Sequence, residues 1–379
     1  DRLAPRARVG PMTEPFADPS RVLLRAALGA VPAYVAGRPA PDVPGLVTYK
    51  VSSNENPYPP LPAVLRSIAD AAQRINRYPD MSNAALKRAI AAHHGRDAGQ
   101  VSAGPGSTGV LVQFVQALCE PGDEVVFAWR SFEAYPIVVR LAGAVPVQVP
   151  LTASGEHDLD AMAAAITGRT RLVFLCSPNN PTGPVISDAA ARAFLARVPP
   201  EVAVILDEAY VEFVRDPGVV DGLALQAEFP NLIVMRTFSK AYGLAGARVG
   251  YALSHPDLAQ ANAKCAIPFS VNLIAQDAAV ASLAAHDELM ARVDALVAER
   301  ERVVAGLAGQ GWQLPATQAN FVYFPLGGGE SEAFDALCGA NGLVVRRYGS
   351  EGVRVTIGEP EANARLLALT AGLASRLRS

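Results

Sequence analysis

Three short stretches hold side chains able to do covalent chemistry together. RTFSKAYGLAGARVG, Arg236 to Gly250, sets Lys240 just after the hydroxyls of Thr237 and Ser239 and before a run of small residues, with Arg248 eight positions on. The chain has only four lysines, Lys50, Lys87, Lys240 and Lys264, against 29 arginines (33 lysines plus arginines, less those four), so a lysine in this company points to its amine. VILDEAY adds the carboxylate of Asp207 and, three residues on, the phenol of Tyr210; SPNNPTG adds the amide of Asn180. Pyridoxal 5'-phosphate chemistry needs this set. An amine forms the Schiff base, a carboxylate keeps the pyridine nitrogen protonated so that the ring accepts electrons, and donors bind the phenolate oxygen and the phosphate.

A further phosphate element stands at GPGSTG, where Ser107, Thr108 and their backbone N–H groups open the helix VLVQFVQALC, whose N-terminus attracts a dianion. The same run matches GxGxxG, and a nicotinamide dinucleotide fold is the competing reading. That reading wants a strong buried strand before the first glycine, where QVSA is short and poor, and it leaves Lys240 unexplained. Phe132, after the next strand, is placed to cover the cofactor ring. Taken singly, Asp207 reads as an ordinary strand-end carboxylate and SPNNPTG as a turn; their coincidence with Lys240 in the right chemical roles favours the joint reading. Lys50, Lys87, His93 and His94 read as solvated or helix-end groups.

Those residues need strands to deliver them. Short apolar runs predict strands at DEVVFAW, VPVQVPL, RLVFLCS, VAVILDEAY, LIVMRTFS and RVGYALS, with helical segments between several of them. Such alternation argues for an α/β fold with a mostly parallel central sheet, in which ligands bind beyond the carboxyl ends of the strands. Asn180, Asp207 and Ser239–Lys240 all follow such ends. Earlier, AVLRSIADAAQRI reads as a helix ending at NRYPD, and Asn83 as the cap of ALKRAIAAHHG, which stops at Gly95. The last third carries two long helical segments, then the short strands ANFVYFPL, GLVVRRY and GVRVTIG and a closing helix from Pro360, an α+β order. The expected organisation is an N-terminal extension over residues 1–30, an arm and part of a small domain over 31–72, a large cofactor-binding domain over 73–270, and a small C-terminal domain over 271–379.

Composition removes other classes. A 379-residue chain that is 50% hydrophobic and 18% charged can bury a sizeable core. A net charge of −3 without a basic cluster argues against nucleic-acid binding, and charges or prolines interrupt every apolar run before it reaches membrane-spanning length. Cys119, Cys176, Cys265 and Cys338 are scattered, without a CxxC pair, and read as buried thiols in a reducing compartment with no metal site. The opening DRLAPRARVGPM lacks the apolar centre of a secretory signal, so a cytoplasmic location is expected; the sequence does not open on Met, and Met12 offers an alternative start.

SSNENP, NRYPD, WRSFEAYP, SPNNPTG, DEAYVEF, RTFSKAYGLAGARVGYA, QANFVYFPL and RVTIG stand in an order that resembles the fold type I pyridoxal-phosphate aminotransferases. The resemblance runs from about Ala30 to the end and is to the histidinol-phosphate branch and its actinobacterial aromatic, phenylalanine-type relatives. It implies that Lys240 is the Schiff-base lysine and proton shuttle, that Asp207 holds the pyridine nitrogen, and that Asn180 and Tyr210 bond the phenolate oxygen. Ser107, Thr108, Thr237, Ser239 and Arg248 would bind the phosphate, with Phe132 on the ring. Tyr78 would reach the phosphate of a neighbouring subunit's cofactor, making a homodimer with shared active sites. Arg354 would clamp the substrate carboxylate, Arg346 and Asn56 would serve the same end of the substrate, and Tyr34 would approach its side chain from the partner's arm. The implied reaction is transamination between a small-molecule aromatic amino acid and 2-oxoglutarate. Histidinol-phosphate transamination is the alternative, followed by threonine-phosphate decarboxylation; a cofactor-sensing transcription regulator would need a DNA-binding module that the segment before Ala30 is too short to hold.

Overall fold

The computed structural model describes residues 22, 24–31 and 45–376. Tyr34 and residues 32–44 of the expected 31–72 arm lie outside them. In chain order the strands are Tyr49–Lys50 (β1), Val101–Gly104 (β2), Glu124–Trp129 (β3), Val145–Pro150 (β4), Thr170–Cys176 (β5), Ala203–Asp207 (β6), Leu232–Thr237 (β7), Gly250–Leu253 (β8), Phe321–Phe324 (β9), Leu343–Val344 (β10), Arg346–Tyr348 (β11) and Gly352–Thr356 (β12). Seven form one sheet in the order β2-β8-β7-β6-β5-β3-β4, in which β8 alone runs against the rest. The expected mostly parallel sheet is therefore present. Its central strands β3, β5 and β6 read as nearly unbroken apolar runs because both faces are covered: Val125, Phe127, Phe174 and Ile205 enter one core, and Val126, Val173, Val204 and Leu206 the other.

Three differences from the sequence reading have physical causes. QVSA looks poor as a strand, yet β2 is wholly buried at the sheet edge, because pairing with β8 and packing of Val101 and Ala103 outweigh its low intrinsic preference. Being antiparallel to β8, it does not open the parallel unit that a dinucleotide site uses. VAVILDEAY stops being strand at Asp207, and Tyr210 starts a 3-10 turn over Val211–Phe213. Asn83 precedes the helix Ala84–His94 but makes no side-chain cap; Asp80 Oδ2 accepts from Ala84 N at 2.8 Å in its place. Gly95 closes that helix in the left-handed region, as expected.

The helices Leu273–Ala284 and His286–Gly309 lead into a second, antiparallel sheet of order β11-β12-β9. β1 pairs in parallel with β10, and Val51 joins the apolar cluster of this last region, so the segment before residue 62 is tied to the C-terminal part. Cys119, Cys176 and Cys338 are buried thiols and Cys265 is half-buried. No described helix is long and apolar enough to cross a membrane.

Candidate active site

The carboxyl ends of β5, β6 and β7 open on a cavity of about 280 Å³. Asp207, the last residue of β6, is 4% exposed. Its Oδ2 accepts from Tyr135 Oη at 2.8 Å and its Oδ1 from Ala209 N at 3.2 Å. Burial pushes its carboxyl up to about 6, against the pull of those hydrogen bonds. Lys240, three residues past β7, donates from Nζ to Ser53 O at 3.0 Å. Burial first, then the neighbouring cation Arg354, lowers its ammonium to about 7. An amine and a carboxylate are thus held in one cavity, both moved toward their neutral forms.

Around this pair stand neutral donors and acceptors. Tyr210 Oη accepts from Asn54 Nδ2 at 2.9 Å, and burial raises its phenol. Asn54 has φ +54° and is pinned by Thr356 Oγ1, which bonds both its backbone N–H and its Oδ1. Asn180 Oδ1 accepts from Arg354 Nη1; Arg354 Nη2 donates to Ser52 O at 2.7 Å, while its Nε is buried without a partner. A buried donor left without a protein acceptor marks where an anionic ligand would be received.

The opposite end is made by backbone proximity. Ser107 and Thr108, in the first turn of the helix Gly106–Leu118, line the cavity, and a helix N-terminus favours an anion. Gly106 has φ +77°, and a Cβ there would lie 2.4 Å from Arg248 Nη2; at Gly250 a Cβ would lie 2.2 Å from Ser107 N. Thr237 Oγ1 donates to Ser239 Oγ at 3.0 Å, and Arg248 Nη1 donates to Ala245 O at 3.0 Å. Two glycines without side chains, a helix N-terminus, two hydroxyls and one guanidinium make a cradle of phosphate size and charge.

Of the residues expected from sequence, Ser107, Thr108, Phe132, Asn180, Asp207, Tyr210, Thr237, Ser239, Lys240, Arg248, Arg346 and Arg354 all line this cavity. Asn56 does not. Its Nδ2 donates to Ala241 O at 2.8 Å and its Oδ1 accepts from Tyr58 N, so it fastens its segment to the turn after Lys240. Tyr78 is 82% exposed and lies against Phe269, ring centres 4.6 Å apart, away from this chain's own cavity. Sequence reasoning missed Ser52, Ser53, Asn54, Glu133, Tyr135 and Tyr348. Asn54 and Glu133 sat within stretches already singled out, SSNENP and WRSFEAYP, but nothing in residue type separated them from Asn56 or from a solvated carboxylate.

An amine, a buried carboxylate and a phosphate cradle at the strand ends of this sheet are the marks of a fold type I pyridoxal-phosphate enzyme. The chain belongs to the aminotransferase class I and II family, whose model matches residues 48–369. Such enzymes pass an amino group between small-molecule amino and keto acids. It is 56% identical over 347 residues to the aromatic amino acid aminotransferase of Streptomyces avermitilis, covering 92% of this chain and 96% of that one. The enzyme of the same name from Streptomyces coelicolor is 55% identical over 340 residues, covering 90% and 94%. Among solved structures, the histidinol-phosphate aminotransferase of Sinorhizobium meliloti in complex with pyridoxal-5'-phosphate superposes with a TM-score of 0.79 at 32% identity, covering 88% of this chain and 92% of that one.

Proposed function

We propose that the protein is a pyridoxal-phosphate aminotransferase for an aromatic, phenylalanine-type amino acid, with 2-oxoglutarate as acceptor. The observation that carries the reading is the buried, unpartnered Arg354 Nε beside the near-neutral Lys240 amine in one cavity. The likeness to the two Streptomyces enzymes supports the aromatic substrate. The cradle suits the cofactor's phosphate, since the absence of side chains at Gly106 and Gly250 is what lets the Arg248 guanidinium and the Ser107 N–H approach so closely. Ser107, Thr108, Thr237, Ser239 and Arg248 would hold that phosphate, Asp207 the ring nitrogen, Asn180 and Tyr210 the phenolate oxygen, and Phe132 the ring face. Bound there, the cofactor supplies an aldehyde that takes the substrate's amino group and a ring that draws electrons from its Cα.

The chain's own groups do the rest. Arg354 fixes the substrate carboxylate through a planar fork. Lys240 Nζ, neutral above about pH 7, takes the proton from Cα and returns it to the other side of the reacting bond. Asp207 would pair with the protonated ring nitrogen of the bound cofactor, and Tyr135 Oη, which donates to its Oδ2, orients the carboxylate. Tyr78, exposed on one chain, would reach the partner's phosphate in a homodimer with shared sites, and Tyr34 and Arg346 would face the substrate. A cytoplasmic location and the division into a large domain over 73–270 and a small one over 271–379 complete the proposal. Steady-state rates of the cofactor-loaded protein with phenylalanine and with histidinol phosphate test it: kcat/KM is expected to favour phenylalanine, and a large preference for histidinol phosphate would overturn the substrate assignment.

A further inference from the structure

The mouth of the cavity holds two guanidinium groups, where the α-carboxylate of a substrate needs one. Arg346 on β11 and Arg354 on β12 are direct cross-strand partners. Both line the cavity, with guanidinium carbons 5.6 and 5.7 Å from the centre of the Tyr348 ring. Arg130 lies 5.5 Å from the same ring. These three cations are not equivalent. Arg130 Nε donates to Glu351 Oε2 at 2.7 Å, and Arg346 Nη2 donates to Glu133 Oε2 at 2.5 Å. Among the described residues no carboxylate pairs with Arg354, whose Nη1 and Nη2 go to the neutral oxygens of Asn180 and Ser52. The Arg346–Glu133 pair is also the better shielded, with side chains 11% and 28% exposed against 18% and 48% for Arg130–Glu351.

We propose that Glu133 is a specificity-determining residue: by holding Arg346, it leaves Arg354 alone to receive the α-carboxylate and disfavours amino substrates that carry a phosphate monoester in that place. The inference rests on the reading of Arg354 as the carboxylate clamp. A carboxylate presents two oxygens and one charge, which a single guanidinium satisfies. A phosphate monoester presents three oxygens and about 1.5 to 2 negative charges near neutral pH, and calls for a second cation. Arg346 is the adjacent one. To recruit it, the phosphate must displace Glu133 and then sit beside a freed carboxylate, a repulsive arrangement that rejects the wrong ligand without touching the right one.

The test compares three cofactor-loaded proteins: the parent, Glu133→Gln, and Glu133→Gln combined with Arg346→Met. Two quantities are read: the ratio of KM for histidinol phosphate to KM for phenylalanine, and the inhibition constant of inorganic phosphate. Glu133→Gln is expected to lower both by ~10-fold, and adding Arg346→Met to remove the gain. Values for Glu133→Gln equal to the parent's, or a gain that survives Arg346→Met, would overturn the proposal. Should Glu133→Gln fail to fold, Glu133→Asp draws the carboxylate back from Arg346 and is expected to move both quantities the same way. A parent enzyme that prefers histidinol phosphate would instead refute the substrate reading, and phosphate inhibition distinguishes the two failures because it needs no amino substrate.

Discussion

At the inner end of the cavity, Asp207 and Lys240 are delivered by the ends of neighbouring parallel strands, and both are moved toward neutrality, Asp207 to about 6 and Lys240 to about 7. At the mouth, by contrast, Arg346 and Arg354 stand on an antiparallel pair, and their partners Glu133 and Asn180 lie 213 and 174 residues away in the chain. The inner groups are placed by sheet topology and tuned by burial, which is what proton transfer near pH 7 requires. The outer groups are held by long-range side-chain contacts, a charge pair for Arg346 and neutral oxygens for Arg354, which a single substitution can rebalance while the sheet stays intact. Reaction type and substrate choice thus rest on different physics within one cavity.

The sharpest way to break this contrast is to remove the inner amine. Lys240→Ala is expected to abolish the visible absorbance band of the cofactor-loaded protein and to lower kcat by ~10⁴-fold or more, because both the covalent link and the proton carrier are lost. A variant that keeps the band would refute the assignment of Lys240. At the mouth the expected effect is smaller and of another kind. Arg354→Lys keeps the charge but loses the planar fork, so KM for phenylalanine should rise by ~30-fold with a lesser change in kcat. If kcat fell as far as it does for Lys240→Ala, the mouth would belong to the reaction chemistry and the division drawn above would fail.

The same division decided what could be read from the sequence. Strands β3 and β5 to β8 were legible because strands buried on both faces are continuous apolar runs, and Asn180, Asp207 and Lys240 because they follow the ends of such runs. Strand β2 was not, since its strand character comes from pairing with β8 at the sheet edge. Asn56 drew attention in SSNENP, yet the neighbouring Asn54 bonds Tyr210, because a left-handed backbone at Asn54 turns its side chain inward. Such a turn is set by tertiary contacts with Thr356 and leaves no local signature. Glu133 and Tyr135 were hidden for a similar reason: their partners Arg346 and Asp207 come from distant strands, and spacing along the chain carries no trace of that.

The smallest expected effect probes how the inner carboxylate is stabilised without the cofactor. Asp207 holds its proton up to about pH 6 in the fold, against an ordinary value of 3.8, so between those values the folded chain binds more protons than the unfolded one. Its contribution to stability is therefore full below pH 3.8 and is lost as pH rises through 6. Above that, the buried charge is stabilised by Tyr135 Oη at 2.8 Å and Ala209 N at 3.2 Å. Tyr135→Phe keeps the packed ring and removes the stronger donor, which should cost ~2 kcal/mol at pH 7.5, the value of a hydrogen bond to a charged group. Below pH 5 the carboxyl is largely protonated and a neutral hydrogen bond of about 1 kcal/mol is all that is lost. Denaturant unfolding of the cofactor-free pair at both pH values reads the difference directly. A penalty that stays constant with pH would mean that Tyr135 serves packing alone, and that the inner end, like the mouth, is held by contacts indifferent to its protonation.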